Sequence, residues 1–211
     1  MTEAIKPTKD RILDAAEILM AERGPGETSL RDITAAAGVN LAAVNYHFQS
    51  KDALLRAVVD RRVIPLNKRR IEMLDAAEAA AGENAPDLQR VIEAFLYPPL
   101  ELLTTAPQFV PMMGRIYTEP QFVEEIIRKH MLPMKTRFVS AFQRACPHLS
   151  EIEIFWKMHF CIGAMTHLMG GCNLIRASSD GACDPSDLPS TKRHLIAFLA
   201  AGFRAPVPKE P

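Results

Sequence analysis

Two short helical patterns meet at a glycine between residues 28 and 48, and this junction constrains the fold more than any other feature of the 211-residue chain. Thr28 or Ser29 can cap the first pattern, which carries Leu30, Ile33, Thr34, Ala36 and Ala37. Gly38 follows, where a tight turn needs a positive φ, and Asn40 can cap a second run from Leu41 to His47. A longer pattern precedes them. Thr8, next to Pro7, can cap a helix whose residues Ile12, Leu13, Ala16, Leu19 and Met20 form one apolar stripe, stopped by Arg23-Gly24-Pro25-Gly26. Two short helices joined by a few residues containing Gly form a helix-turn-helix pattern, although any small helical bundle can show such caps and turns.

The third segment separates those readings. A short Ala-rich helix with Asn45, Tyr46 and His47 crowded at its end makes a poor core element. Its small residues let the backbone approach a groove closely, and its tip can reach phosphates and base edges. Val39, Val44 and Phe48 are assigned to the small domain's own core. The formal charge of the chain is zero, but residues 1–70 hold 12 Lys and Arg against 9 Asp and Glu. That weak asymmetry is compatible with DNA binding without establishing it.

The run Thr28-Ser29-Leu30-Arg31-Asp32-Ile33 to Gly38-Val39, followed by Tyr46-His47-Phe48, Ser50-Lys51 and Ala53-Leu54, resembles the DNA-binding domain of the TetR family over residues 8–56. Within that family, residues 38–48 resemble the recognition segment of PsrA-like regulators of fatty-acid metabolism. The resemblance implies that Leu41, Ala42, Ala43 and Asn45 face base edges, with Asn45 reading adenine and the alanines meeting thymine methyls. It places Tyr46, His47 and Lys51 on phosphates, and Thr28, Ser29 and Arg31 on the backbone or a groove edge. Thr34 stands where the family usually has Ala. Asn45 stands where Tyr is common, which implies a different operator.

Ser50 caps a fourth helix through Leu54, Leu55, Val58 and Val59, which Pro65 is expected to kink or break near Ile64. The basic cluster Arg61-Arg62 and Lys68-Arg69-Arg70 reads as a solvated face before it reads as a DNA contact. Residues 76–86 read as a helix end and loop. Further patterns run from Asp87 to Leu103, across Pro98-Pro99, from Phe109 to Tyr117, and from Glu119-Pro120 past Pro133 to Cys146. Bends at these prolines can leave a cavity. Ser150 and Glu153 form a capping box for a strongly apolar helix reaching Ile175, buried partly against another subunit, and Leu195 to Leu199 mark the last helix. Residues 153–164 resemble the same regulators, whose last two helices form a four-helix dimer interface.

Ten Met and ten Phe favour an adaptable apolar cavity. Its candidate lining is Met112, Met113, Phe122, Ile126, Met134, Phe138, Trp156, His159 and Phe160. Arg115 either pairs with Glu119 at the surface or points inward to hold an anionic head group. Catalysis is not expected. His159 and Cys161 lie on different faces of one helix, His159 and His167 lack zinc-helix spacing, and no phosphate-binding glycine loop occurs. No apolar run nears the roughly 20 residues that cross a bilayer, the N-terminus lacks a secretory layout, and the four cysteines form no CxxC pair. A cytoplasmic protein with reduced thiols and no cofactor or metal fits.

The expectation is an all-α chain of about nine helices: a three-helix helix-turn-helix domain at residues 1–56 and a ligand-binding and dimerisation domain at 57–211. Its expected partners are a palindromic double-stranded DNA operator, a second copy of itself, and a small apolar effector such as a fatty acid or acyl-CoA, with no membrane. The alternative is a sensor or interaction protein of the same fold, controlled by a protein partner or by thiol oxidation.

Overall fold

The computed structural model describes residues 6–116, 120–170 and 172–206. Among these residues every regular element is helical: α1 (Thr8–Arg23), α2 (Leu30–Ala37), α3 (Leu41–Phe48), α4 (Lys51–Ala81), α5 (Leu88–Thr105), α6 (Phe109–Ile116), α7 (Pro120–Ile126), a π-helical turn (Ile127–Met131), α8 (Leu132–Ala145), α9 (Glu151–Gly170), α10 (Cys172–Ser178) and α11 (Leu188–Arg204). Beyond the expected helices, the π turn divides the run from Pro120 to Ala145 into α7 and α8, while α9 and α10 are described up to and from Gly171, which lies outside the described residues. None is long and apolar enough to cross a membrane.

The chain divides into two compact units. The first comprises residues 1–65 and 106–126, the second 66–105 and 127–211. The sequence-based division at residue 56 leaves out the second segment of the first unit. Phe109, Met112 and Ile116 on α6 are buried, and α6 packs on α1. An apolar stripe on a short helix does not declare which core it joins.

In the first unit α1 packs on α2 and α3, and Ile12, Ala16, Met20, Ile33, Val44 and Phe48 of these helices are buried. Caps fix both short helices. The Asp32 amide donates to Ser29 Oγ at 3.2 Å while the Ser29 amide donates to the Asp32 carboxylate at 3.1 Å, a complete capping box. At α3 the Ala43 amide donates to Asn40 Oδ1 at 2.9 Å. Gly38 between them has φ +61°, and Arg11 Nη2 donates to the Ala37 and Gly38 carbonyls at 2.5 and 2.9 Å. α1 therefore satisfies the orphan carbonyls at the end of α2.

Proline breaks neither of two helices: α4 continues through Pro65, and α5 runs across Pro98 and Pro99 as its pattern implied. Pro99 has no N–H to give the Phe95 carbonyl four residues earlier. That carbonyl accepts instead from Arg70 Nε at 2.8 Å, and the guanidinium lies 5.1 Å from the Phe95 ring centre. The basic cluster is thus not a solvated face throughout: Arg70 is buried, and Arg61 and Arg62 are half-buried. Glu17, 3% exposed on α1, accepts from both Arg61 and Arg62, and Arg61 also reaches Asp14 at 2.8 Å. In the second unit Phe95, Phe138, Phe142 and Phe203 form a continuous aromatic core, with Phe142 and Phe203 stacked at 4.5 Å.

Candidate DNA interface and effector cavity

The turn at Gly38 and the cap at Asn40 determine which side of α3 faces inward. Val44 and Phe48 are buried, while Leu41, Ala42, Asn45 and Tyr46 are exposed and Ala43 and His47 are half-buried. Tyr46 is 84% exposed, a costly position for an aromatic ring unless it meets something outside the chain. Its ring packs edge-on against His47 at 5.1 Å, so the two project together from the end of α3. Lys51, at the start of α4, donates to the Gly26 carbonyl at 3.0 Å, which holds its ammonium near the α1–α2 turn. Arg31 is exposed on α2, and Ser29 is exposed at its cap.

Thr28 is a correction. It is 1% exposed and its hydroxyl donates to the Gly24 carbonyl at 2.8 Å, so its side chain serves the turn and offers no surface to a phosphate. The local signal was ambiguous because Thr28 and Ser29 are both good caps, and only Ser29 takes that role.

In the second unit α5, α8 and α9, with the π turn, line an apolar pocket of about 590 Å³ that is open to solvent on one side. Four of the expected residues line it: Met134, Phe138, Trp156 and His159. Phe95, Met131, Leu132, Lys135, Ile152, Phe155, Met158 and Ile162 complete the lining. Met112, Met113, Phe122 and Ile126 belong to the first unit and are not among the lining residues of this cavity. Phe160 is 61% exposed and stacks on Trp156 at 5.9 Å without lining it. The side chain of Arg115 lies outside the described residues, as does Glu119. Lys135, which the sequence reading passed over, holds its ammonium 4.5 Å from the Phe155 ring centre. It and His159 are the two polar side chains of an otherwise apolar lining, a composition suited to an apolar body with one anionic group.

Two of the four thiols, Cys146 and Cys161, are buried. Burial pushes the Cys161 thiol up to about 12, and burial likewise raises Cys146. Neither supplies thiolate near neutral pH. Cys183 is exposed. Among the described residues no three His, Cys, Asp or Glu side chains are grouped as a metal site requires.

Comparison with known proteins agrees with this geometry. Residues 12–58 match the bacterial regulatory proteins of the tetR family, and residues 93–202 match the tetracyclin repressor-like C-terminal domain. An HTH-type transcriptional repressor of Mycobacterium tuberculosis is 55% identical over 49 residues, which is 23% of this chain and 26% of the relative. The HTH-type transcriptional repressor BepR of Brucella suis is 29% identical over 98 residues, 46% of this chain and 44% of its own. The alignments thus span about a quarter to less than half of these relatives' length.

Solved structures match over nearly the whole chain. The fatty acid degradation regulator FadR from Bacillus halodurans superposes with a TM-score of 0.61 at 14% identity, covering 97% of this chain and 100% of that one. A TetR-family transcriptional regulator from Bordetella parapertussis gives 0.68 at 18% identity, covering 92% and 94%. At such identities the likeness establishes the fold alone.

Proposed function

The chain belongs to the TetR family of bacterial transcriptional regulators, and from that premise we propose that it represses transcription by binding a palindromic operator as a homodimer, from which a small apolar effector releases it. In this reading residues 1–56 read DNA, and residues 57–211 bind the effector and form the dimer. The outward side of α3 carries the proposal: Leu41, Ala42, Asn45 and Tyr46 are exposed around the buried anchors Val44 and Phe48. Asn45 reads adenine and Ala42 and Ala43 meet thymine methyls, while Tyr46, His47, Lys51, Ser29 and Arg31 hold phosphates.

The effector is a fatty acid or an acyl thioester, as in PsrA-like regulators. The cavity supports it by its volume, its apolar lining and the two cationic-capable groups Lys135 and His159. The helix α4 begins beside the DNA-reading residues and ends in the second unit, so it is the element through which occupancy of the cavity reaches α3. Control by oxidation of Cys146 or Cys161 is disfavoured by the burial and raised thiols of both.

Selection from a random double-stranded DNA library tests the DNA half of the proposal. The expected product is an inverted repeat with half-sites about one helical turn apart, or a multiple of it, bound with a steep salt dependence. Recovery of no enriched sequence overturns it.

A further inference from the structure

Gln49 follows the last residue of α3 in a conformation that glutamine rarely adopts. Its φ is +66° and its ψ −37°, and the Ser50 amide donates to the Phe48 carbonyl at 2.7 Å, so residues 48–50 form a γ-turn of the strained hand. Asp180 is the other described non-glycine residue with a positive φ, and aspartate is among the side chains that tolerate that region. Glutamine is not. The turn itself has a plain use. It ends α3 and lets Ser50 cap α4, where the Ala53 amide donates to Ser50 Oγ at 3.1 Å. Glycine would make the same turn without strain, so the turn accounts for the backbone and leaves the side chain unexplained.

Two observations bear on that side chain. The Gln49 amide still donates to the Asn45 carbonyl at 3.1 Å, so its Cα completes the path of α3. Ala42, Asn45, Tyr46 and Gln49 stand at i, i+3, i+4 and i+7, and Gln49 falls within about 20° of Ala42 around the helix. All four are exposed, while Val44 and Phe48 are buried on the other side. Secondly, among the described residues the side-chain amide of Gln49 has no hydrogen-bond partner. A long, exposed amide kept in a strained turn and bonded to nothing in its own chain is placed for a partner outside it.

We propose that Gln49 is a further DNA contact: its side-chain N–H donates to a backbone phosphate beside those assigned to Tyr46 and Lys51. This rests on the proposal above that the outward side of α3 meets DNA. Base edges are reached from the N-terminal part of a recognition helix. Gln49 lies at the other end, two residues before Lys51, whose ammonium is held at the Gly26 carbonyl. A neutral donor to phosphate releases no counterion and reads no base, so it adds affinity without adding salt dependence or sequence preference.

Fluorescence anisotropy with the duplex recovered by selection from a random library, repeated over a series of salt concentrations, tests this. Gln49→Ala should bind about ten-fold more weakly with the wild-type salt slope, since both half-sites of a two-fold operator lose a contact. Single-base variants of the duplex should keep their order of affinity. Gln49→Lys should bind at least as tightly as the wild type and steepen the slope by about 0.9 for each subunit. Gln49→Gly should raise the urea midpoint by about 0.5 M as strain is released, and still bind about ten-fold more weakly. Circular dichroism checks that each variant is folded.

A turn that served the fold alone would leave the glycine variant more stable and fully competent to bind, and that result overturns the proposal. So does a reordering of the single-base variants, which would make Gln49 a base reader, or a Gln49→Lys slope equal to the wild-type one. If Tyr46→Ala with Lys51→Ala abolishes binding while every Gln49 variant matches the wild type, the Gln49 contact alone fails. If the wild type binds no duplex, the DNA-reading proposal fails and takes this one with it.

Discussion

Replacing Gly38 by alanine tests the turn that presents α3. Two costs add. The backbone sits at φ +61° and ψ +41°, the left-handed region, where a Cβ costs about 1–2 kcal/mol. The new Cβ would also lie 2.8 Å from Arg11 Nη2. The end of an arginine moves easily, but this one donates to the Ala37 and Gly38 carbonyls, so moving it frees the end of α2. Hydrogen bonds from a charged donor contribute about 1.5 kcal/mol at the low end, and the half-buried setting argues for that end.

The expected loss is therefore about 2.5–3.5 kcal/mol for Gly38→Ala. Gly82, at φ +59° with nothing within 4 Å of its Cβ position, carries only the backbone cost of about 1–2 kcal/mol. The Gly38 variant should thus unfold at lower urea than the Gly82 variant, followed by circular dichroism. In an Arg11→Ala background the difference should vanish. It should also weaken operator binding, which the Gly82 variant leaves alone. Equal destabilisation at the two glycines refutes the role given to Arg11.

Four further outcomes follow from the same contacts. Glu17→Gln removes the buried carboxylate facing Arg61 and Arg62 and should cost about 3 kcal/mol in urea unfolding; a loss under about 1 kcal/mol would show the cluster to be structurally idle. The side-chain and then the backbone hydrogen bond of Ser150 hold the Glu153 carboxyl below its usual range, as those of Ser29 do for Asp32. A folded value below the unfolded one means their stabilisation is fully present above about pH 4.5 and fades as pH falls through the folded values. Ser150→Ala should flatten the acid side of the stability curve, and an unchanged curve contradicts the assignment. Tyr46→Ala with Lys51→Ala should abolish operator binding in a folded dimer and reduce the salt slope, whereas unchanged affinity removes both from the phosphate contacts. Peptide mapping after iodoacetamide treatment of the native protein should find Cys183 alkylated and Cys146 and Cys161 untouched, and labelling of either buried thiol would revive redox control.

What could be read in the sequence was local. The caps at Ser29, Asn40 and Ser150 act on amides three residues away, and Gly38 needs its positive φ whatever the rest of the chain does. The burial of Val44 and Phe48 follows from the period of α3. The distant pairings were not legible. Arg70 belongs to a basic run, and nothing nearby says that Pro99 leaves a carbonyl for it 25 residues along, at Phe95. Met112 and Met134 are both Met on an apolar helical stripe, yet one is buried in the first unit and the other lines the cavity of the second. Thr28 and Ser29 are equivalent capping residues by type, and only the position of the Gly24 carbonyl turns Thr28 inward.

The central claim is that an apolar molecule controls DNA binding by this chain. Fluorescence anisotropy of the selected operator, titrated with the protein at fixed salt with and without saturating dodecanoate or its coenzyme A thioester, tests it most directly. The account predicts tight binding by the free protein and at least a ten-fold loss of affinity with one of the two ligands. Tight binding that neither ligand alters would contradict acyl control.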